Sequence, residues 1–147
     1  MPVLDDLREK AEKGLTAAQI ELGYYYLLGE DFNGNEVPKD SALARYWLER
    51  AHERGAHTAT VMLGTMHEQG RGVPVDVPKA VQYYELAAQR GAYTPCIYLA
   101  RVYANGKGIP ASEVLALRWY TKALSYEGQV DAESEMAEAR EYLRSRG

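Results

Sequence analysis

Three histidines and a single cysteine are the side chains best suited to nucleophilic catalysis or transition-metal binding in this chain. His52 and His57 flank a glycine turn with no cysteine beside them, and no histidine begins the H-E-x-x-H pattern of a helical zinc site. His67 falls among the apolar residues of a predicted helix, which favours a hydrogen-bonded structural histidine. Cys96 lies early in another helix without a histidine or asparagine pattern to activate it, so we interpret it as a buried structural thiol. We therefore predict no catalytic residue, no metal site and no enzyme activity.

Glycine-rich segments at 70–72 and 106–108 are further candidates for ligand chemistry, because glycine loops can cradle phosphate groups. Neither segment is followed by the Gly-Lys-Ser/Thr of a nucleotide-binding loop, and neither follows a predicted strand. We interpret both as turns between helices, and we predict no bound cofactor.

The charge balance and the cysteine count limit the partners and the compartment. The formal net charge is -4, whereas nucleic-acid binding needs a basic surface, so we predict no nucleic-acid partner. One cysteine cannot form an intramolecular disulfide, which suits a reducing compartment. The N-terminal segment carries acids where a signal peptide has its basic residues, and no apolar run is long enough to span a membrane. These features predict a cytoplasmic protein without membrane insertion.

A period of 36 residues organises the chain. A Gly-x-Gly-Val-Pro turn near residue 70 is followed by a pattern of alanine and aromatic residues. Much of this segment recurs one period later, and part of it also occurs one period earlier. One period carried through three copies is typical of helical repeat proteins. The sequence predicts a single domain, residues 1–147, made of a cap at 3–14, repeats at 15–55, 56–91 and 92–128, and a C-terminal cap helix at 131–145.

Each repeat is predicted to contain two helices with apolar residues at helical spacing. On the first helices these positions are Ala18, Leu22, Tyr25 and Tyr26, then Ala59, Leu63, Met66 and His67, then Pro95, Leu99, Val102 and Tyr103. On the second helices they are Ala44, Trp47, Leu48 and Ala51, then Ala80, Tyr83, Tyr84 and Ala87, then Ala116, Trp119, Tyr120 and Ala123. The residues that can cap the second helices are Asp40, Asp76 and Ser112. The small residues that follow the recurring leucine, and that allow another helix to come close, are Gly23, Gly64 and Ala100.

The combined pattern resembles the Sel-one-like repeat, a relative of the tetratricopeptide repeat with a longer loop between its helices. The motif is A-Q-x-x-L-G-x-x-Y-x-x-G, then G-x-G-V-P, an aspartate, A-x-x-W-Y-x-x-A and a closing glycine, and it covers residues 15–127. Four positions depart from it: Leu48, His67, Pro95 and Ala100. The resemblance implies an all-α fold, an α–α superhelix (solenoid) of three helix-turn-helix repeats with N- and C-terminal capping helices. It also implies that the first helices line a concave face that binds other proteins.

Positions that differ in kind between repeats are candidates for partner binding, because core packing does not dictate them. One face of the first helices contains positions that differ in this way. A second irregularity is an acidic insertion after Gly29, which contains the only phenylalanine of the chain. The candidate partner-binding residues are Glu21, Tyr24, Leu28, Phe32, Met62, Thr65, Gln69, Tyr98, Arg101 and Asn105. Two alternatives stay open: the helix residues fill the space between neighbouring repeats, and Phe32 folds back onto the adjacent helix.

The sequence favours a non-enzymatic protein–protein interaction module that binds a protein or peptide as an adaptor or scaffold. One alternative implied by the resemblance is a bacterial immunity or antitoxin-type inhibitor that neutralises a cognate toxin effector. A more remote alternative is a hydrolase of the β-lactamase-like, cysteine-rich branch of the family. That branch depends on a disulfide in each repeat, which one cysteine cannot supply.

Overall fold

The structure, a computed structural model, describes residues 2–146, and this part of the chain forms eight helices and no strand. The helices are α1 Pro2–Glu12, α2 Thr16–Leu28, α3 Ser41–Glu53, α4 His57–Gln69, α5 Val77–Gln89, α6 Thr94–Asn105, α7 Glu113–Leu124 and α8 Glu133–Arg146. The two predicted terminal helices are therefore present, with ends shifted by one or two residues.

The second helix of each repeat begins at its predicted cap. The Asp40 carboxylate accepts a hydrogen bond from the Leu43 amide at 3.0 Å, and Asp76 accepts one from the Lys79 amide at 3.1 Å. In the third repeat the Ser112 hydroxyl accepts from the amide three residues on, at 3.2 Å. Each cap satisfies a backbone N–H that the helix itself leaves without a partner, which fixes where α3, α5 and α7 begin.

Each first helix ends at a glycine in the left-handed conformation: Gly29, Gly70 and Gly106, with φ between 66° and 84°. A side chain is disfavoured at such φ values, so glycine stops the helix at low cost and turns the chain towards the loop. Gly70 and Gly106 begin the glycine segments for which phosphate binding was considered above. Gly29 begins the loop that carries the insertion.

The chain divides into two compact units, Met1–Val75 and Asp76–Gly147. The division falls in the loop between the helices of the second predicted repeat. The single-domain organisation and the repeat boundaries predicted from the sequence stay predictions.

In the first unit, α1 packs on α2, α2 on α3 and α3 on α4. The pairing of α2 with α3 is close: a Cβ atom placed on Gly23 would lie 2.6 Å from Cγ of Leu48 and 3.4 Å from the Ala44 carbonyl oxygen. The small residue after the recurring leucine thus permits the close approach that the sequence predicted. One cluster of buried residues in this unit joins α1, α2 and α3, and it contains Leu4, Leu7, Ala11, Ala18, Leu22, Tyr25, Tyr26, Val37, Ala44 and Trp47.

Gln19 and His67 are buried polar side chains of the first unit. The Gln19 side-chain amide donates to the Ala11 carbonyl at 3.0 Å, which ties α2 to α1. The buried His67 ring donates through Nδ1 to the Leu63 carbonyl, one turn earlier in α4, at 2.9 Å. The interpretation of this histidine as a hydrogen-bonded structural residue is confirmed.

In the second unit, α5 packs on α6, α6 on α7 and α7 on α8. Cys96 is fully buried, and burial raises the pKa of its thiol to about 11, so the structural interpretation holds for this residue too. Two predicted core residues, Tyr83 and Trp119, are only half-buried. In α5 the buried face is centred on Val81 and Tyr84, which leaves the Tyr83 ring at its edge.

Candidate protein-binding surface

Phe32 packs against α2 and nevertheless leaves most of its surface exposed. Its ring centroid lies 5.4 Å from that of Tyr24 and 5.0 Å from that of Tyr25. Phe32 is 67% exposed and Tyr24 38%, whereas Tyr25 is buried. We call the two exposed rings, Tyr24 and Phe32, the Phe32 patch. Phe32 thus does fold back onto the adjacent helix, and it does so without being covered.

The insertion that carries Phe32 is held in one conformation by Asp31. One carboxylate oxygen accepts from the backbone amides of Asn33 and Asn35, both at 2.9 Å, and the other accepts from the Asn35 side chain at 2.9 Å. The side-chain and backbone donors of Asn35 lower the pKa of Asp31. A backbone hydrogen bond from Asp31 to the Asn35 carbonyl, at 2.9 Å, closes the turn. The loop is therefore a folded element.

Hydrogen bonds also fix both ends of this loop to the helices. The Val37 amide donates to the Gly29 carbonyl at 2.9 Å, and the Asp40 amide donates to the Tyr26 carbonyl at 3.0 Å. Between these points, Glu30 and Glu36 form an antiparallel bridge. The position of the Phe32 patch relative to α2 is consequently set by the backbone as well as by ring packing.

Glu21 supports the patch from within α2. Its carboxylate accepts the hydroxyl hydrogen of Tyr25, one turn further along. Burial and the neighbouring Glu21 carboxylate together raise the pKa of Tyr25 to about 12. The Tyr25 ring is thereby fixed beneath Phe32. Of the predicted binding residues, the structure thus brings together Glu21, Tyr24 and Phe32.

Acidic residues flank Phe32 in the loop. Glu30 and Glu36 are exposed, and Asp31 lies between them in sequence. Among the ion pairs of residues 2–146, none involves these three carboxylates. The nearest cation along the chain is Lys39, whose methylene groups lie beside Gly29. The loop that carries Phe32 is therefore predominantly negative.

The other candidate residues of the first unit lie on α2 and α4 with mixed exposure. Leu28, Met62 and Thr65 are half-buried, and Gln69 is exposed. The Thr65 hydroxyl donates to the Val61 carbonyl at 3.1 Å.

In the second unit, Arg101 is engaged by the last helix. Its guanidinium makes a bidentate contact with Glu138 of α8, at 2.7 Å from Nη2 and 3.0 Å from Nε. The Tyr98 ring, one turn earlier, lies 5.4 Å from that of Tyr84 and is half-buried, and Asn105 is exposed. The predicted role of Arg101 in partner binding therefore competes with an intramolecular contact.

Glu138 is a residue that the sequence reasoning missed. Its second oxygen accepts the Tyr120 hydroxyl at 2.7 Å, and the Arg101 guanidinium, with help from that hydroxyl, lowers the pKa of Glu138. Burial and the same carboxylate raise the pKa of Tyr120. A signal was present: Arg101 stands where the other repeats have Tyr24 and Thr65, and a cation at a packed helix position needs an acidic partner.

Residues 2–146 bring no group of three or more His, Cys, Asp or Glu side chains into an arrangement that could hold a metal ion. Within the same range, no helix combines the length and the apolar composition needed to cross a bilayer.

The family model of the Sel1 repeat matches residues 16–55, 57–91 and 96–125, which is more than half of the chain. The chain belongs to the Sel1 repeat family, as the motif indicated. Proteins of this family are generally protein-interaction modules and are typically non-catalytic.

Similar proteins come from several bacteria. The secretory immunoglobulin A-binding protein EsiB of uropathogenic Escherichia coli is 48% identical over 48 residues, which are 33% of this chain and 9% of that protein. A protective antigen of uropathogenic E. coli with an SLR fold matches with a TM-score of 0.74 and 36% identity, over 83% of this chain and 25% of the other. A Sel1 repeat protein of Oxalobacter formigenes matches with a TM-score of 0.71 and 34% identity, over 83% and 48%. The chain therefore spans less than half of each of these relatives.

Cysteine-rich protein B of Helicobacter pylori shares the fold, with a TM-score of 0.61 and 24% identity over 84% of this chain and 90% of that one. Together with the eight helices of residues 2–146, these relatives confirm the predicted fold class, an all-α superhelix of helical repeats.

Proposed function

We propose that this chain is a non-enzymatic protein-binding module that acts as an adaptor or scaffold, and that its partner binds at the Phe32 patch. The observation that supports this proposal is an aromatic pair that is exposed and yet fixed in position. An exposed phenylalanine on a flexible loop would lose conformational freedom on binding, whereas this ring is already held by Tyr25 and by the Asp31 turn. Aromatic residues at the centre of an interface are also the residues whose truncation most often weakens binding.

The remaining candidate residues are proposed as further partner-binding residues, each within its own unit of the chain. They are Glu21, Leu28, Met62, Thr65, Gln69, Tyr98, Arg101 and Asn105, on the first helices of the three repeats. A protein ligand is in keeping with the name of one relative, a secretory immunoglobulin A-binding protein. The single cysteine supports a cytoplasmic location for this chain.

A photo-crosslinking amino acid tests the proposal. p-Benzoylphenylalanine placed at Phe32 or at Tyr24 should yield one or a few discrete crosslinked proteins in lysate of the source cells. The same group at Val114 is the control, because Val114 is equally accessible (70% exposed) and lies on α7, a second helix. Equal crosslinking from Val114, or none from Phe32, would refute the binding surface.

The stoichiometry of the captured complex then separates the adaptor from the inhibitor. A single partner bound one to one, whose activity is lost in the complex, would support the alternative of an immunity protein. Several partners recovered in competition with one another would support the adaptor.

A further inference from the structure

We infer that the Phe32 patch binds an arginine side chain of the partner, with the guanidinium plane against the aromatic rings and its N–H groups donating to Glu30 or Glu36. This inference deepens the proposed function and rests on it. It specifies the chemistry of the partner: a basic, arginine-bearing segment.

The shape of the patch favours a flat group. The rings of Tyr24 and Phe32 are 5.4 Å apart and inclined by 45°, with Phe32 mostly exposed. An aliphatic anchor needs a pocket that encloses it, whereas a guanidinium stacks on an open aromatic face while its edge remains free to form hydrogen bonds.

The charges around the patch favour a cation. Asp31 uses both carboxylate oxygens to fold the loop, so it contributes negative potential but has few free acceptor sites. Glu30 and Glu36 are exposed and are brought side by side by the backbone bridge. They can accept two N–H groups of a guanidinium in a bidentate arrangement. Lys39 is the one cation of the segment 29–39, and it is outnumbered by these acids.

The chain itself pairs arginine with aromatic rings at several other places. Arg50 lies over the rings of Tyr46 and Trp47, at 5.7 and 5.4 Å from their centroids. Arg146 lies 3.8 Å from the ring centroid of Tyr142. By contrast, no lysine or arginine of the described residues 2–146 lies over Tyr24 or Phe32. The patch thus has the same aromatic and acidic components, without a cation supplied by residues 2–146.

Titration with short peptides, followed by NMR of the ¹⁵N-labelled full chain, tests the inference. The probe is the blocked pentapeptide Gly-Arg-Gly-Arg-Gly, and the matched controls carry lysine or citrulline in place of arginine. Citrulline keeps the planar shape and removes the charge. We expect saturable shifts of the amides around residues 24 and 32 with the arginine peptide, and binding weaker by about two- to five-fold or more with the lysine peptide. The citrulline peptide should cause almost no shifts.

Variants of the patch give a second measurement. Phe32→Trp should bind the arginine peptide more tightly, and Phe32→Leu should bind it more weakly while keeping the apolar contact with Tyr25. The double variant Glu30→Gln, Glu36→Gln should lose most of the binding and its salt dependence, while the amide spectrum outside the loop stays unchanged. Equal binding of the citrulline peptide, or shifts that centre on Tyr46 instead of Phe32, would overturn the inference.

The two experiments fail independently. If crosslinking from Phe32 captures a partner but the arginine peptide does not bind there, the proposed function stands and the arginine assignment is wrong. If the peptide binds at the patch but no protein is crosslinked from it, the proposed binding surface is wrong.

Discussion

Replacing Glu138 with glutamine should lower the free energy of unfolding by about 1 kcal/mol. Exposed ion pairs contribute about 0–1 kcal/mol, and hydrogen bonds to charged groups about 1.5–3 kcal/mol. The Arg101 and Glu138 side chains are 42% and 35% exposed, so solvent screening reduces the larger figure. Glutamine keeps an oxygen that can accept the Tyr120 hydroxyl, so the substitution mainly removes the charge.

Glu138→Ala should lower the free energy of unfolding by about 2–3 kcal/mol, because it also leaves the hydroxyl of the buried Tyr120 without an acceptor. Arg101→Met removes the other partner of the ion pair. The double variant Arg101→Met, Glu138→Gln should then be less destabilised than the sum of the single variants, with a coupling energy of about 1 kcal/mol.

Urea unfolding followed by circular dichroism measures these differences, with hydrogen exchange in α8 as a local readout. With a slope of about 2 kcal/mol per M, a loss of 1 kcal/mol moves the midpoint down by about 0.5 M. Glu141→Gln is the matched control: Glu141 lies on the same helix and pairs with Arg144, but both side chains are mostly exposed, 62% and 77%. Equal midpoints for the Glu138→Gln and Glu141→Gln variants, or a coupling energy near zero, would refute the reasoning.

The same pair has a defined pH dependence. The pKa of Glu138 is lower in the folded chain than in the unfolded chain, because Arg101 and Tyr120 favour the charged form. Its contribution to stability is therefore complete above the unfolded pKa, about 4.3, and is lost as the pH falls through the folded pKa. The stability difference between the native chain and Glu138→Gln should be constant from pH 7 to about pH 5 and should shrink below about pH 4.

Three further perturbations test the packing. Gly23→Leu should lower the free energy of unfolding by about 1–3 kcal/mol or more, since even a Cβ atom at this position would lie within 2.7 Å of the Leu48 side chain. The control Ala17→Leu, at an exposed position of the same helix, should leave the thermal unfolding temperature nearly unchanged. Asp40→Ala should lower the free energy of unfolding by about 1 kcal/mol because the α3 cap is lost, whereas Asp40→Asn should retain most of the stability. Equal melting temperatures for the two variants would contradict the capping role. Cys96 should react with Ellman's reagent only slowly in the folded chain and rapidly in urea, because burial raises its pKa to about 11; rapid labelling of the folded protein would show that α6 opens.

The helices and their caps could be predicted because they depend on neighbouring residues. A capping aspartate contacts an amide three residues away, and a helical stripe repeats within four residues, so both leave a pattern in the sequence. The 36-residue period strengthens each pattern, because Asp40, Asp76 and Ser112 recur at the same place in successive copies. Gly23 belongs to the same group, since a missing side chain beside a recurring leucine indicates a close approach.

The surface was harder to predict, because its contacts join residues far apart in sequence. Arg101 and Glu138 are 37 residues apart, and Glu138 lies in a strongly charged segment that reads as a solvent-exposed face. The orientation of Phe32 depends on Tyr25 and on the turn at Asp31, and a sequence pattern gives the loop length without giving the side-chain direction. The helical spacing of Trp119 predicts a core residue, but spacing does not tell where the edge of a buried face lies.

The closed loop between Glu30 and Glu36 also bears on how such a protein can diversify. The loop folds through contacts within itself, and the hydrogen bonds Val37–Gly29 and Asp40–Tyr26 hold the flanking helices together at its base. We therefore expect segments of other lengths and compositions to be exchanged at this position with little effect on the pairing of α2 and α3. The first repeat would then serve as a constant frame for a replaceable recognition loop, and binding preference could change there without a new core having to evolve.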